Sequence, residues 1–287
     1  MKRRRNQIGN RKYHVFTVMA VAVITLFSVV LDKVVGDGSA DRHQPLVSKS
    51  SHVRTDSLLM VNEVGGQTSW GSEPCLVLHR VGYEAGYSSV RRIPRWVAWS
   101  LTASHTRGAF SRKGIDFQED VDVPEPRATD RDYYRSGYDR GHMCPSADNR
   151  WSEEAQRQSF LFTNICPQAQ GLNAGDWNEM EQQCRIWARQ YGTLYIVCGP
   201  ILYKGRHKTI GKNRVTVPEA FYKVILRITP NPHAIGFVCK NKGGNHPKGD
   251  YVSTVDEVER ITGLDFFAAL PDDIEQRVET SADLCAW

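Results

Sequence analysis

Residues 174–197 read AGDWNEMEQQCRIWARQYGTLYIV. Trp177, Met180, Cys184, Trp187 and Tyr191 recur every three or four residues, the period of one helix face. The pattern predicts a helix over 174–191 that stops at Gly192, since glycine readily adopts the backbone that ends helices. Leu194–Val197 follows at once as an apolar run suited to a strand. One helix therefore feeds directly into a sheet.

Working outward, Phe221–Ile228 and Ala234–Val238 read as two further strands, the first closed by Pro230 and Pro232. Upstream, Cys75–Val81 and Arg95–Leu101 have the β-branched and aromatic content of strands. Ser152 can cap a short helix that opens with Glu153 and Glu154. Phe160–Ile165 reads as the end of that helix leading into a strand. Thr254 and Glu257 have capping-box spacing before a helix that ends at Gly263. Strands dominate and helices do not alternate with them. The expected fold is α+β, with a mainly antiparallel central sheet and inserted helices, and not a doubly wound one.

The chain has 287 residues and a net charge of +5. Residues 1–40 hold seven basic and two acidic side chains, so the whole surplus lies there and residues 41–287 sum to zero. A histone-like coat of positive charge is excluded. Val15–Leu31 is uncharged and follows the basic run MKRRRNQIGNRK. The expectation is an export signal over 1–40, cleaved or retained as a membrane anchor through residues 15–31. The basic flank would keep the N-terminus cytoplasmic, so the protein would face the periplasm or cell exterior, or be secreted. Residues 41–70 read as a flexible tether, and 71–287 as one domain.

Seven cysteines stand at 75, 144, 166, 184, 198, 239 and 285, without CxxC or zinc-like spacing. An oxidising compartment would allow disulfides, and the odd number would leave at least one thiol over. Cys75, Cys198 and Cys239 sit in apolar runs where a small hydrophobe is expected.

Two further segments carry chemistry-bearing residues. Tyr138-Asp139-Arg140-Gly141-His142-Met143-Cys144-Pro145 sets an imidazole beside a fixed positive charge in a turn-rich stretch. Taken alone, a His next to Gly is more often a hydrogen-bonded structural residue. Phe162-Thr163-Asn164-Ile165-Cys166-Pro167-Gln168 is followed by Asn173, Trp177 and Glu181. An amide oxygen and a carboxylate near one helix end can hold a hard cation, directly or through its waters. An Asn cap and a solvated Glu would fit the same letters.

Together, Asp139-Arg140-Gly141-His142, Thr163-Asn164, Pro167-Gln168, Asn173, Trp177 and Glu181 resemble the DNA/RNA non-specific endonucleases, members of the ββα-metal (His-Me finger) nucleases. Arg95-Trp96-Val97-Ala98-Trp99, Arg112 with Asp116-Phe117, Val255–Glu259 and Thr262–Phe267 extend the resemblance over roughly 75–267. It implies a ββα-metal finger active site and hydrolysis of phosphodiester bonds in DNA and RNA to 5′-phosphate products. It also implies His142 as general base, Asn173 as direct ligand of Mg²⁺ (or another divalent ion such as Mn²⁺), and Glu181 holding metal-bound water. Arg112 and Arg140 would contact phosphate oxygens, whose geometry guanidinium forks match. Asn164 would position the site, and Asp139 would hold the turn or Arg140. Homodimers occur among such enzymes.

Cys144 and Cys166 each lie two residues past a motif residue, which allows a disulfide, a free pair or simple packing. Two basic runs, Arg91-Arg92-Ile93-Pro94-Arg95 and Lys204–Lys208 with Lys212 and Arg214, offer surfaces for a phosphate backbone. The rival readings are a catalytically inactive nucleic-acid-binding module on the same fold, and a cysteine hydrolase pairing Cys144 or Cys166 with His142.

Overall fold

The computed structural model describes residues 61–63, 70, 73–203 and 205–287. The expected export segment, its apolar run 15–31 and most of the 41–70 tether lie outside the described residues.

In chain order the first elements are β1 (Val61–Glu63), β2 (Leu76–His79), β3 (Glu84–Ser88), β4 (Ile93–Leu101) and α1 (Asp130–Tyr133). Next come β5 (Asp139–His142), α2 (Glu153–Gln158), β6 (Ile165–Gln168), α3 (Trp177–Tyr191) and β7 (Leu194–Ile201). The chain continues through β8 (Thr209–Ile210), β9 (Val215–Thr216), β10 (Ala220–Arg227) and β11 (His233–Lys240). It closes with β12 (Val252–Ser253), α4 (Val255–Thr262), β13 (Leu264–Phe266) and α5 (Asp272–Glu279).

Seven strands form the central sheet in the order β12-β11-β10-β7-β4-β3-β2, and every adjacent pair is antiparallel. Successive side chains on a strand point to opposite faces. Val97, Trp99, Ile196, Cys198, Phe221 and Ile225 therefore bury one face, under Trp177, Met180, Cys184 and Trp187 of α3. Trp96, Ala98, Val197, Tyr222, Val224 and Leu226 bury the other, under Val255 and Val258 of α4 and Val278 of α5. Because both faces are covered, the central strands read as near-continuous apolar runs. The molecule is α+β with a large antiparallel sheet.

The caps follow the expected chemistry. Ser152 accepts a hydrogen bond from the Ala155 amide, Thr254 from the Glu257 amide, and Gly263 ends α4 with φ of 69°. Three local features differ from expectation. The helix expected from 174 begins at Trp177, because residues Leu172–Asp176 form a wide turn in which Gly175 (φ −100°, ψ −111°) leaves helical geometry. Phe162–Asn164 is a separate tight turn and not the end of α2. The Asp139–His142 stretch, expected to be turn-rich, is a strand paired antiparallel with β6. Gly141 permits that pairing: a Cβ there would come within 2.3 Å of Gln168 Oε1.

Candidate active site

The β5–β6 pair carries His142 at its end, opposite Ile165. The backbone oxygen of His142 accepts from Trp177 Nε1 at 3.2 Å, so the first residue of α3 grips the base of the finger. The half-buried imidazole lies against Phe117 (centroids 5.3 Å apart) and edge-on to Phe160 (5.0 Å). Its Nε2 is buried without a hydrogen-bond partner among the described residues. Burial first, and then the Arg112 charge, push the His142 pKa down to about 3. The aromatic walls that bury the imidazole are announced by no local motif.

Asn164 is fully buried and uses its amide completely. Its Oδ1 accepts from the Cys144 amide (2.9 Å), and Nδ2 donates to the backbone oxygens of Cys144 (2.9 Å) and Ser159 (2.8 Å). It clamps the chain just after His142, so it acts through position and does not face a substrate.

Asn173 sits on the wide turn before α3. Its Nδ2 donates to Asp139 Oδ2 at 3.0 Å, and no hydrogen bond engages Oδ1 among the described residues. Asp139 thus orients Asn173; the partner of Arg140 is Asp130, through Nε at 2.7 Å and Nη2 to the backbone oxygen at 3.1 Å. The Arg140 guanidinium also lies over Phe117 (5.7 Å) and Tyr133 (5.5 Å), on the aromatic wall that holds His142. Arg112 is exposed, with its guanidinium 5.4 Å from the Phe160 ring centroid.

Glu181, one turn into α3, is half-buried and makes no hydrogen bond or ion pair among the described residues. Burial first pushes its pKa up to about 7, Asp148 adds to this, and Lys223, Arg185 and Arg112 oppose it. Sequence reasoning missed the charged layer beneath. Lys223, fully buried on β10, places Nζ 4.4 Å from the Trp177 ring and 5.2 Å from Trp99. Asp148, also buried, accepts from Arg185 Nη1 (3.0 Å) and Trp99 Nε1 (3.2 Å). The visible signal was a lone Lys inside an apolar strand.

The donor set fits a hard divalent cation. An amide oxygen without a hydrogen-bond donor and an unpaired carboxylate are ligands that Mg²⁺ accepts while keeping most of its waters. Cys144 and Cys166 are both free and fully buried, so no disulfide braces the motifs. Burial raises both thiol pKa values well above the usual range, and protonated thiols are not nucleophiles. The cysteine-hydrolase reading therefore fails.

The first basic run is largely engaged within the fold. Ile93 and Arg95 are buried, and Arg91 is paired with Glu73 at 2.8 Å. In the second run, Lys208 reaches the Tyr138 ring (4.7 Å), next to the finger, while His207 is paired with Glu219 at 3.1 Å.

A family model described as DNA/RNA non-specific endonuclease matches residues 67–273. The chain belongs to this family. It is 34% identical over 221 residues to mitochondrial nuclease EXOG of Xenopus laevis, covering 71% of this chain and 62% of that protein. A nuclease of Nostoc is 30% identical over 263 residues, covering 87% of this chain and 94% of the relative. Mitochondrial endonuclease G of Bos taurus is 32% identical over 201 residues, covering 65% and 67%. The chain thus spans about six-tenths of the length of the EXOG relatives it matches. Among solved structures, that of the EndoG/EndoGI complex, described as a mechanism of EndoG inhibition, superposes with a TM-score of 0.65. Identity is 30%, with 71% of this chain and 91% of that one covered. The non-specific endonucleases thus supply the relatives of both the sequence and the fold.

The expected exported or membrane-anchored location is corrected by these relatives. Vertebrate and fission-yeast members are named mitochondrial nucleases. Among the described residues no helix is long and apolar enough to cross a membrane. A basic run before an apolar one belongs to more than one kind of targeting segment, so composition alone did not choose the compartment. The secreted, signal-anchor and membrane-partner readings fall with it.

Proposed function

We propose that this endonuclease-family chain hydrolyses phosphodiester bonds in DNA and RNA with a divalent metal, leaving 5′-phosphate and 3′-hydroxyl ends. The observation that carries the reading is the tie of the candidate groups to one strand and the helix that grips it: His142 ends β5, Asp139 of β5 orients the Asn173 amide, and Glu181, unpaired among the described residues, lies one turn into α3. Asn173 Oδ1 would hold Mg²⁺, or Mn²⁺ in its place, and Glu181 would hold water in its shell. When bound, the ion supplies positive charge for the negative charge that develops on the leaving oxygen.

His142 is neutral at physiological pH and offers Nδ1 as the base, with its proton on the buried Nε2. A water gives its proton to Nδ1 as its oxygen attacks phosphorus; the bond to O3′ breaks, and that oxygen takes a proton from solvent water and ends as a hydroxyl. A base so placed is worth about 10²–10⁴-fold in rate. Arg112, exposed at the mouth, and Arg140 on the aromatic wall bind the non-bridging oxygens. Lys208 beside Tyr138 extends the cationic edge along the backbone. Such contacts read phosphate and not base, which suits cutting without sequence preference.

Supercoiled plasmid and single-stranded RNA incubated with the protein and Mg²⁺ test the reading, with a chelator arm. Both substrates should be cut, and only with the metal. Binding without cutting in every arm would instead establish the inactive binding module. Light scattering would show whether a homodimer, a state that occurs among such enzymes, forms in solution.

A further inference from the structure

On the sheet face opposite His142, α4 and α5 bring three carboxylates together. Asp256 and Glu259 stand one turn apart on α4, and Glu279 is the last residue of α5. One oxygen from each lies within 4.8 Å of the others. None is ion-paired with a lysine, arginine or histidine among the described residues, and Asp265 and Glu275 add further negative charge nearby.

An acidic cluster on a surface is ordinarily left to water. Here Glu279 is only 7% exposed, and its Oε1 is buried without any hydrogen-bond partner. A buried carboxylate oxygen of that kind costs free energy unless a cation meets it or the group takes a proton, and burial, with Glu259 beside it, raises the Glu279 pKa to about 8. Glu259 is anchored from the other side, since its Oε1 accepts from the Phe266 amide at 2.7 Å. Its second oxygen remains to serve the cluster. The floor below is apolar, made by Val258, Leu264, Phe266 and Val278.

We propose that Asp256, Glu259 and Glu279 form a structural Ca²⁺ site that fastens α5 onto α4. Ca²⁺ takes six to eight oxygens at about 2.3–2.6 Å in flexible geometry, so oxygens on opposite sides of the ion stand roughly 4.6–5.2 Å apart. Three oxygens within 4.8 Å of one another have the spacing to share one ion of this size, with the exposed side at Asp256 open to water. Mg²⁺ demands shorter, near-octahedral ligation and gives up its waters reluctantly, so it binds here more weakly. The site is structural: the seven-stranded sheet separates it from His142 and Asn173.

The test uses the full chain stripped of metal, carrying Asn173→Ala to silence the proposed catalytic ion site. Thermal midpoints are read with Ca²⁺, with Mg²⁺ and with chelator. Ca²⁺ at a hundredfold excess over its dissociation constant should raise the midpoint by about 5–10 °C, and Mg²⁺ by less. Calorimetric titration should give one Ca²⁺ per chain. Glu279→Gln should abolish the rise, and so should Asp256→Asn, an exposed substitution that leaves the fold intact. No Ca²⁺-dependent rise, or an equal rise in Asp256→Asn, would overturn the proposal.

Discussion

Asn173 is held by Asp139: its side-chain N–H donates to Asp139 Oδ2 at 3.0 Å, which ties the wide turn before α3 to the strand that carries His142. The residue proposed to hold the metal is thus oriented by the residue that opens the finger motif. Groups that orient a metal ligand typically matter by about 10–100-fold in metal affinity or activity. Asp139→Ala should raise the Mg²⁺ concentration for half-maximal cleavage by about that factor. An unchanged Mg²⁺ dependence would mean that the hydrogen bond does not position the ligand.

The depressed pKa of His142 has a definite sign. The unfolded imidazole titrates near 6.5 and the folded one near 3. Between those values only the unfolded chain gains the proton, so stability contributed by this group is full above about pH 6.5 and falls as pH drops toward 3. For the free enzyme, the profile of kcat/KM against pH should lack an acidic limb centred near 6.5. A limb there that vanishes in His142→Ala would show an imidazole of ordinary basicity instead.

Asn164 satisfies three backbone groups around the loop after His142. Asn164→Ala leaves all three buried and unpaired, at about 1–3 kcal/mol each. We expect a loss of at least ~3 kcal/mol, seen as a fall in Tm of about 6–12 °C. Cleavage measured well below the new Tm should fall too, because that loop follows directly on His142, the proposed base. Loss of cleavage at unchanged Tm would identify a residue that touches the substrate.

What could be read from the letters was whatever repeats with a local period. The five-residue stripe from Trp177 to Tyr191 marked α3, Thr254 and Gly263 bracketed α4, and apolar runs marked β4, β7, β10 and β11. Short strands such as β5 were hidden, because Asp139–His142 has no apolar alternation and pairs only through tertiary contact with β6. Helix α5 carried the visible signal of Pro271 followed by Asp272 and Asp273, which sequence reasoning passed over. The positions of His142, Asn173 and Glu181 were legible as a motif. The partners that set their behaviour (Asp139, Phe117, Phe160 and the buried Lys223) come from distant segments. The apparent basic patch at 91–95 is reduced because Ile93 and Arg95 lie in β4, a strand covered on both faces.

Arg112 is exposed and makes no ion pair among the described residues, so its removal should spare the fold. Arg112→Ala should weaken nucleic-acid binding evenly across sequences and make the salt dependence shallower by roughly one unit of slope. Fluorescence anisotropy with two unrelated duplexes over a salt series reads both quantities. An unchanged slope would remove Arg112 from the phosphate-binding surface.

The central claim is that His142 and a cation on Asn173 act together in cutting the phosphodiester backbone. It is tested most directly by single-turnover cleavage of supercoiled plasmid across a Mg²⁺ series, comparing the parent chain with His142→Ala and Asn173→Ala. The account predicts a rate loss of about 10²-fold or more in His142→Ala with unchanged Mg²⁺ dependence. It predicts that Asn173→Ala loses activity with a strongly raised Mg²⁺ requirement. Cleavage at the parent rate in either variant, or in chelator, would contradict it.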